Sequence, residues 1–351
     1  MQRPTHRIIL LVTVLTGLLT GCVQSQKAPV RPSGLSDDFT QVVSTRDRLT
    51  NAAFPLLVAA ADLCPGAVQG SYGFELHDRT RYAVLPQSEY EQAIAYFGLD
   101  ERIAVQYVHP KLPAAAAGMR AGAKLLSADG HPLSGTLAKD AIEIIQKLDR
   151  RKEGPLHLVV QQGMDILEMD LYPVPACNYP VTLIRSDLVN AYADGKQIVV
   201  TTGMLNFIKN EAELALVLGH EIAHNALQHS DHLRLEGLLD ALVGAHTGQP
   251  VDLSGPAARF TFSKEFEVEA DYVGLYIAAR AGSDLSTAGK FWQRLRRSPE
   301  RPGAPSFAAT HPSSPERLLA FTRTLLEIES KKERGEPLVP SRRQPAITIQ
   351  Q

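Results

Sequence analysis

The sequence predicts an α+β protein: a mainly helical C-terminal half with a small β/α unit ahead of it. Two observations carry this prediction. From residue 210 to about 333, apolar residues recur at helical spacing. Between 97 and 175, strand-like runs at 103–108 and 156–161 flank one amphipathic segment near 137–148. An apolar fraction of 44% is ample for a core.

Taken in order, the chain opens with Arg3, His6 and Arg7 before an apolar run at 8–19, the layout of a secretory signal. A membrane span needs roughly 20 apolar residues, and this run is shorter. It ends in Leu19-Thr20-Gly21-Cys22, which resembles the bacterial lipoprotein box. That resemblance implies diacylation of Cys22, and two acyl chains anchor a protein stably. Val23 in place of an inner-membrane retention Asp points to the outer membrane, with the chain facing the periplasm. An ordinary cleavable signal with an incidental cysteine is the alternative.

Without the first 21 of 351 residues, 330 remain. Lys plus Arg number 36 against 38 Asp plus Glu, which offers nucleic acid no electrostatic invitation. Residues 22–36 read as a lipidated tether, and 37–96 as a helical and mixed segment with short strands at 72–74 and 81–85. With Cys22 lipidated, Cys64 and Cys177 remain in a compartment that favours a bridge between them; two buried thiols are the alternative. The tail from 335 to 351, rich in charge and proline, is expected to be disordered.

Residues 113–130, including Pro113, Gly118, Gly122 and Asp129-Gly130, resemble a bacterial PDZ domain. Ala123 departs from the usual Asp. The resemblance implies a PDZ-like domain at 97–175 that either takes an extended peptide on a sheet edge or acts as an inert spacer.

The strongest local signal is His220-Glu221-Ile222-Ala223-His224, inside an apolar-periodic segment at 210–229 that Asn210 and Glu213 can cap. Such a motif arises by chance in about one chain in a hundred of this length. On a helix, positions i and i+4 share a face, so His220 and His224 can bind one metal ion. Glu221 then lies beside the ion as a general base toward its water. A third ligand is needed. His229 lies about 140° off the ligand face and His232 is too distant, so both are expected to be structural or exposed. Glu267 is a better candidate, with Asp271 one turn on to accept a ligand histidine's spare N–H. Glu265 and Glu269 are expected to face solvent.

Several blocks resemble zinc metallopeptidases that include HtpX-type, BepA-type and LoiP-type bacterial quality-control proteases and the CAAX prenyl endopeptidases. They are Asn190-Ala191-Tyr192-Ala193, 198–205, HExxH at 220–224, Glu267-Val-Glu-Ala-Asp271 and Thr310-His311-Pro312 with Arg317. The resemblance spans 178–330. It implies a zincin-like helical peptidase domain holding one Zn2+ per chain through His220, His224 and Glu267. It further implies a substrate edge at Asn190 and Ala191, and protein or peptide substrates that are unfolded or misassembled envelope proteins. His311 and Arg317 are expected to stabilise the oxyanion. His311 has two other possible roles, as an occupant of the open metal position or as a structural residue before the helix that Ser314 and Pro315 begin. The alternative function is a latent or non-proteolytic assembly or binding factor; a purely structural zinc site would favour cysteine ligands.

Overall fold

The computed structural model describes residues 37–64, 66–149, 154–229, 262–298 and 306–341. The leader, Cys22 and the segment holding His232 lie outside the described residues. Among the described residues no helix is long and apolar enough to cross a membrane.

Helix α1 (Asp37–Ala59) serves two cores. Leu49, Ala53, Leu56 and Leu57 recur at helical spacing and join the main C-terminal core. Phe39 and Val43, two turns earlier, pack instead against Tyr82, Ala93 and Leu99. Strand β1 (Val68–Ser71) follows, then β2 (Phe74–His77). The strand expected at 81–85 is not formed. Asp78 accepts a hydrogen bond from the Thr80 N–H at 2.8 Å, and the chain enters a 3-10 turn at Arg79–Tyr82.

Helix α2 (Gln87–Phe97), β3 (Ala104–Val108), α3 (Pro113–Ala116), β4 (Lys124–Ala128), β5 (His131–Pro132), α4 (Ala138–Asp149), β6 (Leu156–Gln162) and β7 (Asp165–Leu171) complete a sheet unit. Its order is β2-β3-β4-β6-β7, with β5 on β4 and every pairing antiparallel. Leu156, Leu158 and Val160 alternate inward along β6, the period-2 signal of a half-buried strand. Asp129 and Gly130 both have positive φ, 46° and 76°, which suits the tight reversal between β4 and β5. The unit begins before residue 97, because Tyr72 and Leu76 belong to its core. The segment 37–96 is therefore shared among three cores.

The unit leaves and rejoins the chain at one place. Strand β8 (Val174–Cys177) pairs antiparallel with β1, and Val68 faces Cys177. A disulfide joins Cys64 to Cys177 with their Cα atoms 5.8 Å apart, 113 positions apart in sequence.

The C-terminal half starts with β9 (Val181–Ile184), β10 (Ala191–Ala193) and β11 (Ile198–Thr201). Their order is β10-β11-β9, with β11 antiparallel to β10 and parallel to β9. Helices α5 (Thr202–Phe207), α6 (Glu211–Ala226), α7 (Lys264–Arg280), α8 (Ala288–Leu295), α9 (Phe307–Thr310) and α10 (Pro315–Glu333) follow. Asn210 caps α6 by accepting the Glu213 N–H at 3.0 Å, and Ser314 caps α10 by accepting the Arg317 N–H at 3.1 Å. The described start of the expected tail is ordered by contacts: the Ser341 N–H donates to Tyr272 Oη at 3.1 Å, and Leu338 packs on the main core.

Candidate metal centre

Helices α6 and α7 cross where Gly219 meets Gly274. A Cβ at Gly274 would stand 2.8 Å from the His220 backbone nitrogen, and one at Gly219 would stand 2.7 Å from the Gly274 carbonyl oxygen. Only glycine permits this approach of two backbones. It places the histidines of α6 beside the acids of α7.

His220 and His224 bring their Nε2 atoms within 3.0 Å of each other. Glu267 reaches both, 3.6 Å from His220 Nε2 and 3.5 Å from His224 Nε2. His311, just past α9, puts Nδ1 2.9 Å from Glu267 Oε1 and 3.3 Å from His220 Nε2. One donor atom from each of these four buried residues lies within 4.8 Å of the others, a group that could hold a metal ion. The outer ring nitrogen of His220 faces a carboxylate. His220 Nδ1 lies 2.9 Å from Asp271 Oδ1, which favours the tautomer protonated at Nδ1 and turns the Nε2 lone pair toward the group.

Arg317, expected as an oxyanion donor, is committed in this structure to two carboxylates. Its Nε and Nη2 grip Asp271 at 2.5 and 2.9 Å, and its Nη1 lies 2.5 Å from Glu267 Oε2 and donates to the His311 carbonyl at 3.1 Å. The guanidinium fork matches a carboxylate bidentately, and that match directs it inward.

Two further expectations are corrected. Helix α6 ends at Ala226, and Gln228 takes φ 58°, so the chain reverses instead of continuing the helix. His229 therefore folds back, with Nδ1 3.0 Å from His224 Nδ1 and Nε2 3.3 Å from Glu269 Oε2. Glu269 consequently faces His229 and is only 21% exposed. Helical periodicity carries no sign of such a reversal.

Glu221 is fully buried, 3.6 Å from His311 Nε2, and neither carboxylate oxygen has a hydrogen-bond partner among the described residues. Burial pushes its carboxyl above the usual carboxylate range, against the pull of His311 and His220. Burial also holds the His224 imidazole well below its ordinary value. Burial opposes ionisation of Glu267 and Asp271 too, but the surrounding charges win: His311, His224 and His220 hold Glu267 low, and Arg317 and His220 hold Asp271 low. His311 is raised despite burial, because Glu267 and Glu221 face it.

Aromatic rings wall the group. Phe262 stacks on His224 at 3.8 Å between centroids, and Phe307 on His311 at 4.2 Å. Asn190 is buried at the start of β10, an end strand of its sheet; its Oδ1 lies 3.5 Å from Thr310 Oγ1, which ties that end of the strand to the segment carrying His311. Ala191 begins β10 and is buried.

Residues 151–325 match Peptidase family M48. The mitochondrial metalloendopeptidase OMA1 of Schizosaccharomyces pombe is 31% identical over 187 residues, which cover 50% of this chain and 52% of that protein. Human metalloendopeptidase OMA1 is 29% identical over 178 residues, covering 44% and 34%. The β-barrel assembly-enhancing protease of Escherichia coli is 29% identical over 235 residues, covering 56% and 47%. The chain thus spans about a third to a half of the length of the curated relatives it matches. Among solved structures, the HtrA3 PDZ domain bound to a phage-derived ligand is 20% identical, covering 31% of this chain and 88% of that one at a TM-score of 0.23. All four donor residues fall inside the matched span, and the chain belongs to peptidase family M48.

Proposed function

We propose that the chain is a zinc-dependent endopeptidase of the bacterial cell envelope that hydrolyses peptide bonds of unfolded or misassembled envelope proteins. The observation that carries this reading is the Glu221 carboxylate, buried beside a metal-binding group with neither oxygen hydrogen-bonded among the described residues. A buried carboxylate without hydrogen bonds destabilises a fold, so its presence there supports a chemical role.

The donor set fits the metal: two imidazoles and a carboxylate suit zinc, and His220, His224 and Glu267 would hold it. Bound there, zinc supplies Lewis-acid polarisation of water and of the scissile carbonyl. The Glu221 carboxylate takes a proton from the attacking water and passes it to the departing amine nitrogen as the C–N bond breaks. Asp271 fixes the His220 tautomer, and Arg317 holds Asp271 and Glu267 in position. Substrate backbone lies along β10 from Asn190 and Ala191, as an added strand.

The placement of His311 among the ligands favours a second reading, in which a fourth protein ligand closes the site and holds the enzyme latent. The leader and Cys22 support a lipid anchor facing the periplasm, at the outer membrane. The likeness to the Escherichia coli β-barrel assembly-enhancing protease supports an envelope setting. The PDZ-like unit is read as a selector or gate for protein substrates.

The test is digestion of an unfolded protein by the zinc-loaded chain beside its Glu221→Gln variant. Cleavage by the wild type alone supports the peptidase and the role of Glu221. Zinc retained by both proteins with cleavage by neither replaces this reading with the latent one, and His311→Ala then becomes the next variant.

A further inference from the structure

The two histidines of α6 are backed differently. Behind His220 stands a carboxylate, Asp271. Behind His224 stands another histidine. His224 turns Nε2 toward His220 Nε2 and Glu267 Oε1, at 3.0 and 3.5 Å, and turns Nδ1 toward His229 Nδ1 at 3.0 Å. Two ring nitrogens this close share one proton, so one donates and the other accepts. Were His229 the donor, the proton of His224 would sit on Nε2 and leave no lone pair there for a metal ion. A metal held at Nε2 therefore requires His224 to donate from Nδ1. His229 then accepts at Nδ1 and carries its own proton on Nε2. That nitrogen lies 3.3 Å from Glu269 Oε2, an acceptor. The chain His224 to His229 to Glu269 is thus directed, with an acceptor for every donor.

The surroundings hold His229 in this place. It is buried, and the Phe266 ring stacks on it with centroids 4.3 Å apart and planes 13° from parallel. Phe266 and Glu269, three residues apart on α7, share one face of that helix. Gln228, just before His229, adopts φ 58°, a conformation that side-chain-bearing residues rarely take and that persists where neighbours over-determine it.

We propose that His229 is a positioning residue of the metal centre: it accepts the Nδ1–H of His224, fixing the tautomer and orientation of that ring, and Glu269 fixes His229 in turn. The inference rests on the reading of His220, His224 and Glu267 as metal ligands, and it does not depend on cleavage. The centre is then anchored through both histidines of α6, by Asp271 and Arg317 behind one and by His229 and Glu269 behind the other.

The test uses the full-length chain and zinc alone, in competition with a chromogenic chelator. His229→Phe keeps a flat ring to stack on Phe266 but offers no acceptor, whereas His229→Gln loses the ring and keeps a carbonyl oxygen that can accept. His229→Phe is expected to lower zinc affinity about 10- to 100-fold, the usual effect of removing a partner behind a ligand. His229→Gln is expected to bind zinc more tightly than His229→Phe; a role in packing alone would reverse that order. Wild-type affinity in His229→Phe, or affinity in His229→Gln no better than in His229→Phe, overturns the proposal. Since a misfolded variant also loses affinity, the wild type supplies a second readout. A proton–nitrogen NMR correlation of the zinc-loaded protein with labelled histidines is expected to show His229 bare at Nδ1 and protonated at Nε2. A proton on His229 Nδ1 overturns the proposal whatever the variants do. A wild type that binds no zinc removes the metal reading as well, whereas zinc bound equally by the wild type and His229→Phe removes the role of His229 alone.

Discussion

Replacement of Gly274 by alanine tests whether the glycine contact sets the geometry of the metal centre. The new Cβ would stand 2.8 Å from the His220 nitrogen and 2.9 Å from the Gly219 carbonyl, about 0.6 Å inside the 3.4 Å at which ordinary contact begins. Both obstacles are backbone, so the two helices must separate. Overpacking of this kind costs about 1–3 kcal/mol. Alanine returns about 1 kcal/mol of helix propensity. The net loss is about 0–2 kcal/mol, a fall of roughly 0–8 °C in Tm for a domain of this size. The larger effect falls on metal binding, because the separation moves Glu267 away from His220. Disturbance of the residues that orient ligands weakens affinity about 10- to 100-fold, and zinc competition against a chromogenic chelator measures it. Gly289 is the control: it is also helical, but its added Cβ meets nothing within 4 Å, so Gly289→Ala is expected to stabilise by propensity alone. If Gly274→Ala matches Gly289→Ala in Tm and binds zinc like the wild type, the close approach is not required.

Three other outcomes are expected. Cys64→Ser opens a loop of 113 positions and is expected to lower stability by about 4–5 kcal/mol in the chain-entropy account, read by urea unfolding; a reductant should bring the wild type to the same value. Burial lowers the His77 imidazole to about 3, with Arg81 and Arg46 adding to the effect. The unfolded chain therefore binds the extra proton between pH about 6.5 and about 3, and stability falls with acid by at most about 1.4 kcal/mol per pH unit. His77→Gln is expected to flatten that slope in urea midpoints taken at pH 7, 6 and 5, and an unchanged slope would refute the assignment. Arg317→Lys keeps the charge but loses the bidentate grip on Asp271, so both zinc affinity and turnover should fall; loss of turnover alone, with affinity intact, would instead favour direct contact with substrate.

Local pattern made much of this legible. The cap at Asn210, the helix bearing His220 and His224, the inward alternation of β6 and the Pro315 start of α10 each depend on neighbours within a few residues. Glu267 was less accessible, since spacing alone could not separate it from the other acids of α7 and the resemblance singled it out. Elements set by distant contacts were out of reach. Periodicity extrapolates a helix, whereas the left-handed Gln228 turns His229 back onto His224. Composition does not reveal that one face of α1 divides between two cores.

The pairing of β1 with β8 sets the exit and return of the sheet unit side by side, and the disulfide clamps them there. A segment whose two ends share one doorway is joined to its host covalently at a single place, and α1 braces it from the side through the Arg46–Glu75 ion pair and the Tyr107–Asn51 hydrogen bond. The two covalent crossings are thus one joint, and changes of length inside the unit are absorbed there as long as the face it turns to α1 is kept.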